Sequence, residues 1–157
     1  TLEKAIKKYE DTAPEFYEIF IKNPLMKTRA VGNSVIDREY VIKNYMAGPM
    51  ARASKVKVDV RIDESYAGYD EIEMDYVTCE NGDIYDRLHI FFKELEQSMD
   101  IMKQVIVKIR EGIEKEEMNP QKDHLVKMPR RMPAGEAVSR IEWSRGEMLM
   151  HLVTMEK

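Results

Sequence analysis

The sequence has little cysteine and no long apolar run. Its single cysteine, Cys79 among 157 residues, excludes a disulfide within the chain and every metal or redox motif built on CxxC pairs. Such sparing use is typical of a reducing, cytoplasmic setting. No apolar run approaches the roughly 20 residues that a membrane-spanning helix needs, and the N-terminal segment lacks the apolar core of a signal peptide. We therefore predict a protein without membrane-spanning helices.

The chain also lacks an excess of positive charge. Its net charge is -4 with 34% charged residues, which argues against general nucleic-acid binding because such binding requires a basic face. Basic residues do cluster at Lys127–Arg131, where a solvated loop explains them equally well. A hydrophobic content of 43% over this length predicts one domain, residues 1–157, with a real core.

Motifs that carry catalysis or bind metal are missing as well. The sequence contains no GxGxxG, GxxxxGK[ST], GxSxG or HExxH pattern, and its three histidines, His89, His124 and His151, have no ligand spacing. Cys79 has no basic neighbour in sequence that would activate a thiol. Twelve methionines without clustering indicate adaptable packing rather than a metal site. We predict no catalytic residue and no metal ligand.

What the sequence does contain is one long helical segment, Asn81–Glu114. Asp83 is placed to accept hydrogen bonds from the first turn, and Asp86 adds negative charge at the positive end of the helix dipole. Apolar residues recur every three or four positions, which predicts one continuous helical stripe. They are Ile84, Leu88, Phe91, Leu95, Met99, Met102, Ile106, Ile109 and Ile113. Further apolar positions widen the stripe, so we expect a central helix with neighbours on several sides.

Shorter helical signals precede it. Thr1–Lys22 is amphipathic and ends at Asn23-Pro24, and Pro14 predicts a kink or a restart within it. Arg29–Ser34 is predicted to be a turn or short extended piece, Asp37 to cap a short helix through Tyr45, and Met50–Ser54 to form a helical turn.

Strand signals occur in four places. Lys55–Ile62 and Glu71–Cys79 alternate polar and apolar residues, and Glu136–Trp143 and Met148–Thr154 are apolar runs of strand length. Ser144-Arg145-Gly146 between the last two predicts a hairpin turn. The predicted fold is α+β and mainly helical: a long central helix, an N-terminal amphipathic helix and a small antiparallel sheet that includes a C-terminal hairpin.

Charged residues stand where core residues would be expected. Two interpretations remain open: a mutually paired buried network or a solvated face. The residues are Arg52, Asp59, Arg61, Asp83, Asp86 and Arg87.

Several segments resemble segments of one protein family and follow one another in the same order as in that family. GPMARASKVKVDVR (Gly48–Arg61), Tyr66–Asp75, NGDIYDR (Asn81–Arg87), ELEQSMDIMKQ (Glu94–Gln104) and Met132–Val153 are similar to the D subunit of complex I. That quinone-site subunit is itself related to the large subunit of nickel-iron hydrogenases. The positions on which the motifs depend are Gly48, Pro49, Gly82, Tyr85, Gly135, Glu136, Glu142, Gly146 and Glu147.

The resemblance implies a function that composition and periodicity do not. It implies that the chain is the central part of a longer subunit of an NADH (or F420H2) quinone oxidoreductase, inactive alone. The charged residues would then form an ion-pair network behind the quinone cavity. The chain would bind no cofactor: quinone would be the substrate of the parent complex, with NAD or F420 and the iron-sulfur clusters in other subunits. Implied partners are the terminal iron-sulfur cluster subunit, the C subunit and, through the complex, a membrane arm, on the cytoplasmic face of the membrane.

Two departures from the family pattern point toward an archaeal-type enzyme that uses reduced F420 or ferredoxin. The Lys115–Arg131 connection, which we predict to be an exposed loop, is short, and Trp143-Ser144 replaces a small residue and proline. Two alternatives stay open. One is a membrane-bound hydrogenase large subunit, which would show CxxC pairs on either side of this segment. The other is a non-catalytic scaffold protein derived from the family.

Overall fold

The structure, a computed structural model, describes residues 1–115 and 132–155. The predicted loop beyond Lys115, its basic cluster and His124 lie outside those ranges. Six helices, one 3₁₀ turn and two strands follow one another in the described ranges. They are α1 (Leu2–Phe20), α2 (Pro24–Ala30), α3 (Arg38–Lys43), α4 (Gly48–Ala53), α5 (Val60–Asp63), the 3₁₀ turn Tyr69–Glu71, α6 (Ile84–Glu114), β1 (Gly135–Trp143) and β2 (Gly146–Thr154).

The long central helix is confirmed. α6 has 31 residues, and the Asp83 carboxylate caps it by accepting a hydrogen bond of 2.8 Å from the amide of Asp86. α1, α2 and α4 all pack against it. The mainly helical α+β fold with a small antiparallel sheet is therefore the fold of this chain.

The most buried face of α6 is not the predicted apolar stripe. Asp86, Ile90 and Ile101 are its buried residues, whereas Phe91 and Leu95 from the stripe are each 43% exposed. Asp86, Ile90 and Glu94 follow one another at intervals of four, so they share one side of the helix. That side faces α4 through a contact between Glu94 and Arg52.

The N-terminal region has more helix than predicted. α1 runs through Pro14 without a break, so the predicted restart does not occur. Asn23-Pro24 does follow the end of α1, but it also begins α2, because the Asn23 side chain accepts hydrogen bonds from Leu25 and Met26 and Pro24 occupies the first turn. Asp37 caps α3 through the amide of Tyr40, as predicted.

The predicted strand Lys55–Ile62 is wrong. Its backbone is bound by a side chain rather than by a neighbouring strand, since Arg52 Nη1 donates to the carbonyl of Val58 at 2.8 Å. Asp59 then begins α5 by accepting a hydrogen bond from the amide of Arg61. Of the alternating polar positions, Lys55 and Lys57 are exposed to solvent, whereas Asp59 is buried and binds Arg61.

The predicted strand Glu71–Cys79 is wrong for a related reason. It starts in the 3₁₀ turn and continues as irregular chain, with side-chain amides of α6 taking the place of a neighbouring strand. Gln104 donates to the carbonyl of Glu73 and accepts from its amide, both at 2.8 Å. Gln97 donates to the carbonyl of Asp75 at 2.7 Å. A strand-like alternation is therefore satisfied without a sheet.

The C-terminal hairpin is confirmed. β1 and β2 pair antiparallel from Gly135 opposite Thr154 to Trp143 opposite Gly146, leaving Ser144-Arg145 as the turn. The hairpin packs against the short helices, β2 on α4 and β1 on α5. It therefore closes over the segment that carries Arg52, Asp59 and Arg61.

Candidate functional site

Arg52 is the centre of the charged residues. It lies on α4 and is 1% exposed. Its Nε donates to Glu94 Oε1 of α6 at 2.7 Å, and its Nη1 donates to Glu142 Oε1 of β1 at 3.0 Å. Asp59 Oδ2 lies 3.5 Å from Nη1. One guanidinium group thus joins α4, α6 and the hairpin.

Asp59 and Arg61 form a second, bidentate pair beside it. Arg61 donates from Nε to Asp59 Oδ1 at 2.9 Å and from Nη2 to Oδ2 at 2.6 Å. Hydrogen bonding to the Asp59 carboxylate raises the pKa of Arg61, so the guanidinium stays charged. Asp59 is 2% exposed. A buried carboxylate is costly unless it is paired, so Asp59 and Arg61 stabilise the fold only together.

The structure does not join Asp83, Asp86 and Arg87 to these arginines. Asp83 accepts from the amides of Gly32 and Asp86, at 2.7 and 2.8 Å. Asp86 accepts from the amides of residues 80 and 81 at 3.1 and 2.6 Å. Arg87 donates to the carbonyls of residues 82 and 34. These three side chains hold loops against the start of α6 by binding the backbone.

Two glycine positions explain why the loops can approach so closely. A Cβ on Gly48, where φ is +71°, would lie 2.2 Å from the Cα of Gly146 in the hairpin. A Cβ on Gly82, where φ is +65°, would lie 2.1 Å from the carbonyl oxygen of Ile36. Both conformations and both distances exclude a side chain. Pro49 is buried in the first turn of α4.

The remaining motif positions serve local contacts. Glu147 receives both Nε and Nη2 of Arg140, and Arg140 also contacts Glu64. Hydrogen bonding to Arg140 lowers the pKa of Glu147. Glu136 contacts His151 across the two strands at 2.5 Å, and no atom lies within 4 Å of the place that a Cβ on Gly135 would occupy. Glu147 stands directly opposite Glu142 in the register of the two strands, and Arg140 ties the hairpin to Glu64.

Tyr85 belongs to an aromatic group between α1 and α6. Its hydroxyl donates to the carbonyl of Ile21 at 3.1 Å, and its ring lies edge-on to His89. His89 in turn contacts the hydroxyl of Tyr17 at 3.2 Å. Burial lowers the pKa of His89, which favours the neutral imidazole near neutral pH.

Cys79 is joined to α4 through its backbone. Its backbone amide donates to the carbonyl of Arg52 at 2.9 Å. Burial raises the pKa of the thiol to about 11, so the thiolate that would be the reactive or ligating form is scarce near neutral pH.

Over residues 1–115 and 132–155, no three His, Cys, Asp or Glu side chains are grouped to hold a metal ion. In the same ranges no helix is both long enough and apolar enough to cross a membrane.

Glu94 is the member of this site that the charge pattern of the sequence does not reveal. Its side chain is 15% exposed and lies against Arg52. The available signal is its spacing of four from Ile90 and eight from Asp86, which puts it on the face that α4 covers. Glu142, already a motif position, joins the same site with a side chain 5% exposed.

Residues 1–157 match the family described as respiratory-chain NADH dehydrogenase, 49 Kd subunit. The D subunit of NADH-quinone oxidoreductase from Dehalococcoides mccartyi is 37% identical over 96% of this chain and 40% of its own length. The C/D 2 subunit of NADH-quinone oxidoreductase from Aquifex aeolicus is 34% identical over 79% of this chain and 21% of its own length.

The fold also matches a solved structure. A chain in the membrane-bound sulfane sulfur reductase, an archaeal respiratory membrane complex, superposes with a TM-score of 0.82 over 97% of this chain and 40% of that chain, at 23% identity. The chain thus spans about 40% of the length of the Dehalococcoides relative. It belongs to the family of the 49 kDa subunit of respiratory-chain NADH dehydrogenase.

Proposed function

We propose that this chain is the central part of the quinone-site subunit of a complex I-type oxidoreductase. The observation that carries the proposal is the family match over all 157 residues. The Dehalococcoides relative is a quinone oxidoreductase subunit by name. The quinone would be reduced in the parent complex, with the electron donor, NADH, reduced F420 or ferredoxin, oxidised elsewhere in it.

The part of this chain in that function is structural. Arg52 and its partners fix α4, α6 and the hairpin relative to one another, and this rigid unit would support the quinone cavity from behind. A site held by packed helices and strands keeps its geometry better than one held by loops. In this proposal Asp83, Asp86 and Arg87 add a separate anchorage for the loops at the start of α6.

The partners follow from the same proposal. The subunit carrying the terminal iron-sulfur cluster and the C subunit would contact the parent subunit, and the complex would attach to a membrane arm on the cytoplasmic side. The double designation C/D of the Aquifex relative supports an association with a C subunit. Quinone would be the substrate, and NAD or F420 and the iron-sulfur clusters would belong to the partner subunits.

The test is to purify the native complex through a tag on this polypeptide and to assay reduction of a menaquinone or ubiquinone analogue. We expect quinone reduction with NADH, reduced F420 or reduced ferredoxin as donor, and copurification of an iron-sulfur subunit. Hydrogen oxidation, together with CxxC pairs encoded on both sides of this segment, would instead show a hydrogenase large subunit. A native polypeptide of about 18 kDa without enzymatic partners would show a scaffold protein.

A further inference from the structure

The buried cluster around Arg52 holds more carboxyl groups than it holds cations. Arg52 and Arg61 face three carboxyl groups, those of Asp59, Glu94 and Glu142. All three carboxyl side chains are at most 15% exposed. An uncompensated charge in such surroundings is costly, and a bound proton would remove it.

The hydrogen bonds identify which carboxyl group lacks a partner. Both oxygens of Asp59 accept from Arg61. Glu142 uses Oε1 for Arg52 and Oε2 for the amide of Val60, the latter at 3.5 Å. Glu94 uses Oε1 for Arg52, whereas no donor among the described residues reaches its Oε2. Glu94 Oε2 is therefore the oxygen in this cluster on which a proton has room.

A cavity of about 430 Å³ lies beside Glu94, between α6 and the hairpin. It gives the carboxyl group a route for exchange with water. Arg52 Nη2, which is buried, lies 2.5 Å from Glu94 Oε1 without the geometry of a hydrogen bond. The residues that line the cavity are Arg61, Phe91, Glu94, Leu95, Ser98, Glu142, Trp143 and Ser144.

We propose that Glu94 is a proton-binding site: its carboxyl group carries a proton on Oε2 in the folded protein and exchanges it through the cavity between α6 and the hairpin. The charged groups that face it are Arg52 from α4, Asp59 and Arg61 from the start of α5, and Glu142 from β1. In the protonated form, Oε1 still accepts from Arg52 and the O–H points to the cavity.

The electrostatic environment supports this assignment. Burial raises the pKa of Glu94, and the lowering effect of Arg52 does not reverse that direction. Loss of the proton would leave the cluster with one carboxylate in excess, so protonation couples to the contact that joins α4, α6 and β1. A glutamine at this position has the shape of the protonated acid and no charge.

The test compares infrared spectra of the native polypeptide and its Glu94→Gln variant in the carbonyl region of protonated carboxyl groups, as a function of pH. Glu96→Gln, an exposed glutamate two residues along the same helix, is the matched control. We expect a protonated-carboxyl band that persists above the ordinary pKa of glutamate, is present in the wild type and Glu96→Gln, and is lost in Glu94→Gln.

An identical band in Glu94→Gln, or no such band in the wild type, would overturn the proposal. So would a Glu94→Gln protein that fails to fold while Glu96→Gln folds, because the uncharged isostere would then be unable to replace the native group. The readout is a single carboxyl group and not quinone reduction, so it stands or falls independently of the proposed function.

Discussion

Gly48 of α4 and Gly146 of the hairpin lie so close that a methyl group on Gly48 would stand 2.2 Å from the Cα of Gly146. This contact brings β2 against α4, and with it β1, whose Glu142 reaches Arg52. Backbone proximity and ion pairing therefore act on the same junction, and each can be tested by its own substitution.

Gly48→Ala should destabilise the chain beyond the cost of its backbone conformation. Gly32 is the matched control, since it also has positive φ, +70°, but has no atom within 4 Å of the place that a Cβ would occupy. We expect Gly32→Ala to cost about 1–2 kcal/mol from its left-handed conformation, and Gly48→Ala to cost roughly 1–3 kcal/mol more from overpacking. Urea unfolding of both variants measures the difference, and equal costs would contradict the close contact.

Arg87→Met should loosen the loops at the start of α6. It removes two hydrogen bonds to backbone carbonyls, those of Gly82 and Ser34. A hydrogen bond from a charged donor contributes about 1.5–3 kcal/mol to the free energy of unfolding. We expect faster amide hydrogen exchange in both loops and a partial loss of assembly and quinone reduction in the native complex. Wild-type assembly and activity would show that Arg87 is not needed for the structural support we propose.

Gln104→Ala should release the irregular segment after the 3₁₀ turn. Gln104 makes both backbone contacts to Glu73, so its removal leaves that amide and carbonyl to water. We expect faster exchange of the Glu73 amide with little change in global stability, because these groups are exposed. Lys93→Ala on the same helix serves as the control. Unchanged exchange at Glu73 in the Gln104 variant would contradict the role of this side chain.

Glu94 should give the stability of the chain a definite pH dependence. Because its pKa is raised by burial, the folded state binds more protons than the unfolded state above the ordinary glutamate value. Stability should therefore fall as pH rises from that value through the folded-state pKa, and Glu94→Gln should remove this part of the slope. Chemical unfolding at a series of pH values measures it, and parallel curves for the two proteins would contradict the raised pKa.

The sequence predicted those elements whose signal is local. The capped helix α6, the cap at Asp37 and the hairpin turn at Gly146 depend on neighbouring residues, and the structure confirms them. The two strands predicted from alternation do not form, because Arg52 binds the carbonyl of Val58 and Gln104 binds the backbone of Glu73. Gln104 is 31 residues from Glu73, and the orientation of the Arg52 side chain, six residues from Val58, depends on tertiary packing. Hydrophobic periodicity shows neither.

The candidate site could be predicted only in part, for the same reason. The pairing of Asp59 with Arg61 connects residues two apart, whereas Glu94 and Glu142 reach Arg52 from 42 and 90 positions away. Asp83, Asp86 and Arg87 stand close to one another in sequence, yet they bind backbone groups rather than Arg52. Charge patterning identified the region, and only the fold assigned the partners.

The most direct test of the central role of Arg52 is the free energy of unfolding of Arg52→Met compared with Arg110→Met. Arg110 is a suitable control because it pairs with Glu3 on the surface, with both side chains more than half exposed. We predict a loss of about 3–5 kcal/mol for Arg52→Met, which leaves buried carboxylates unpaired, and at most about 1 kcal/mol for Arg110→Met. Equal and small losses in the two variants would contradict the claim that Arg52 joins α4, α6 and the hairpin.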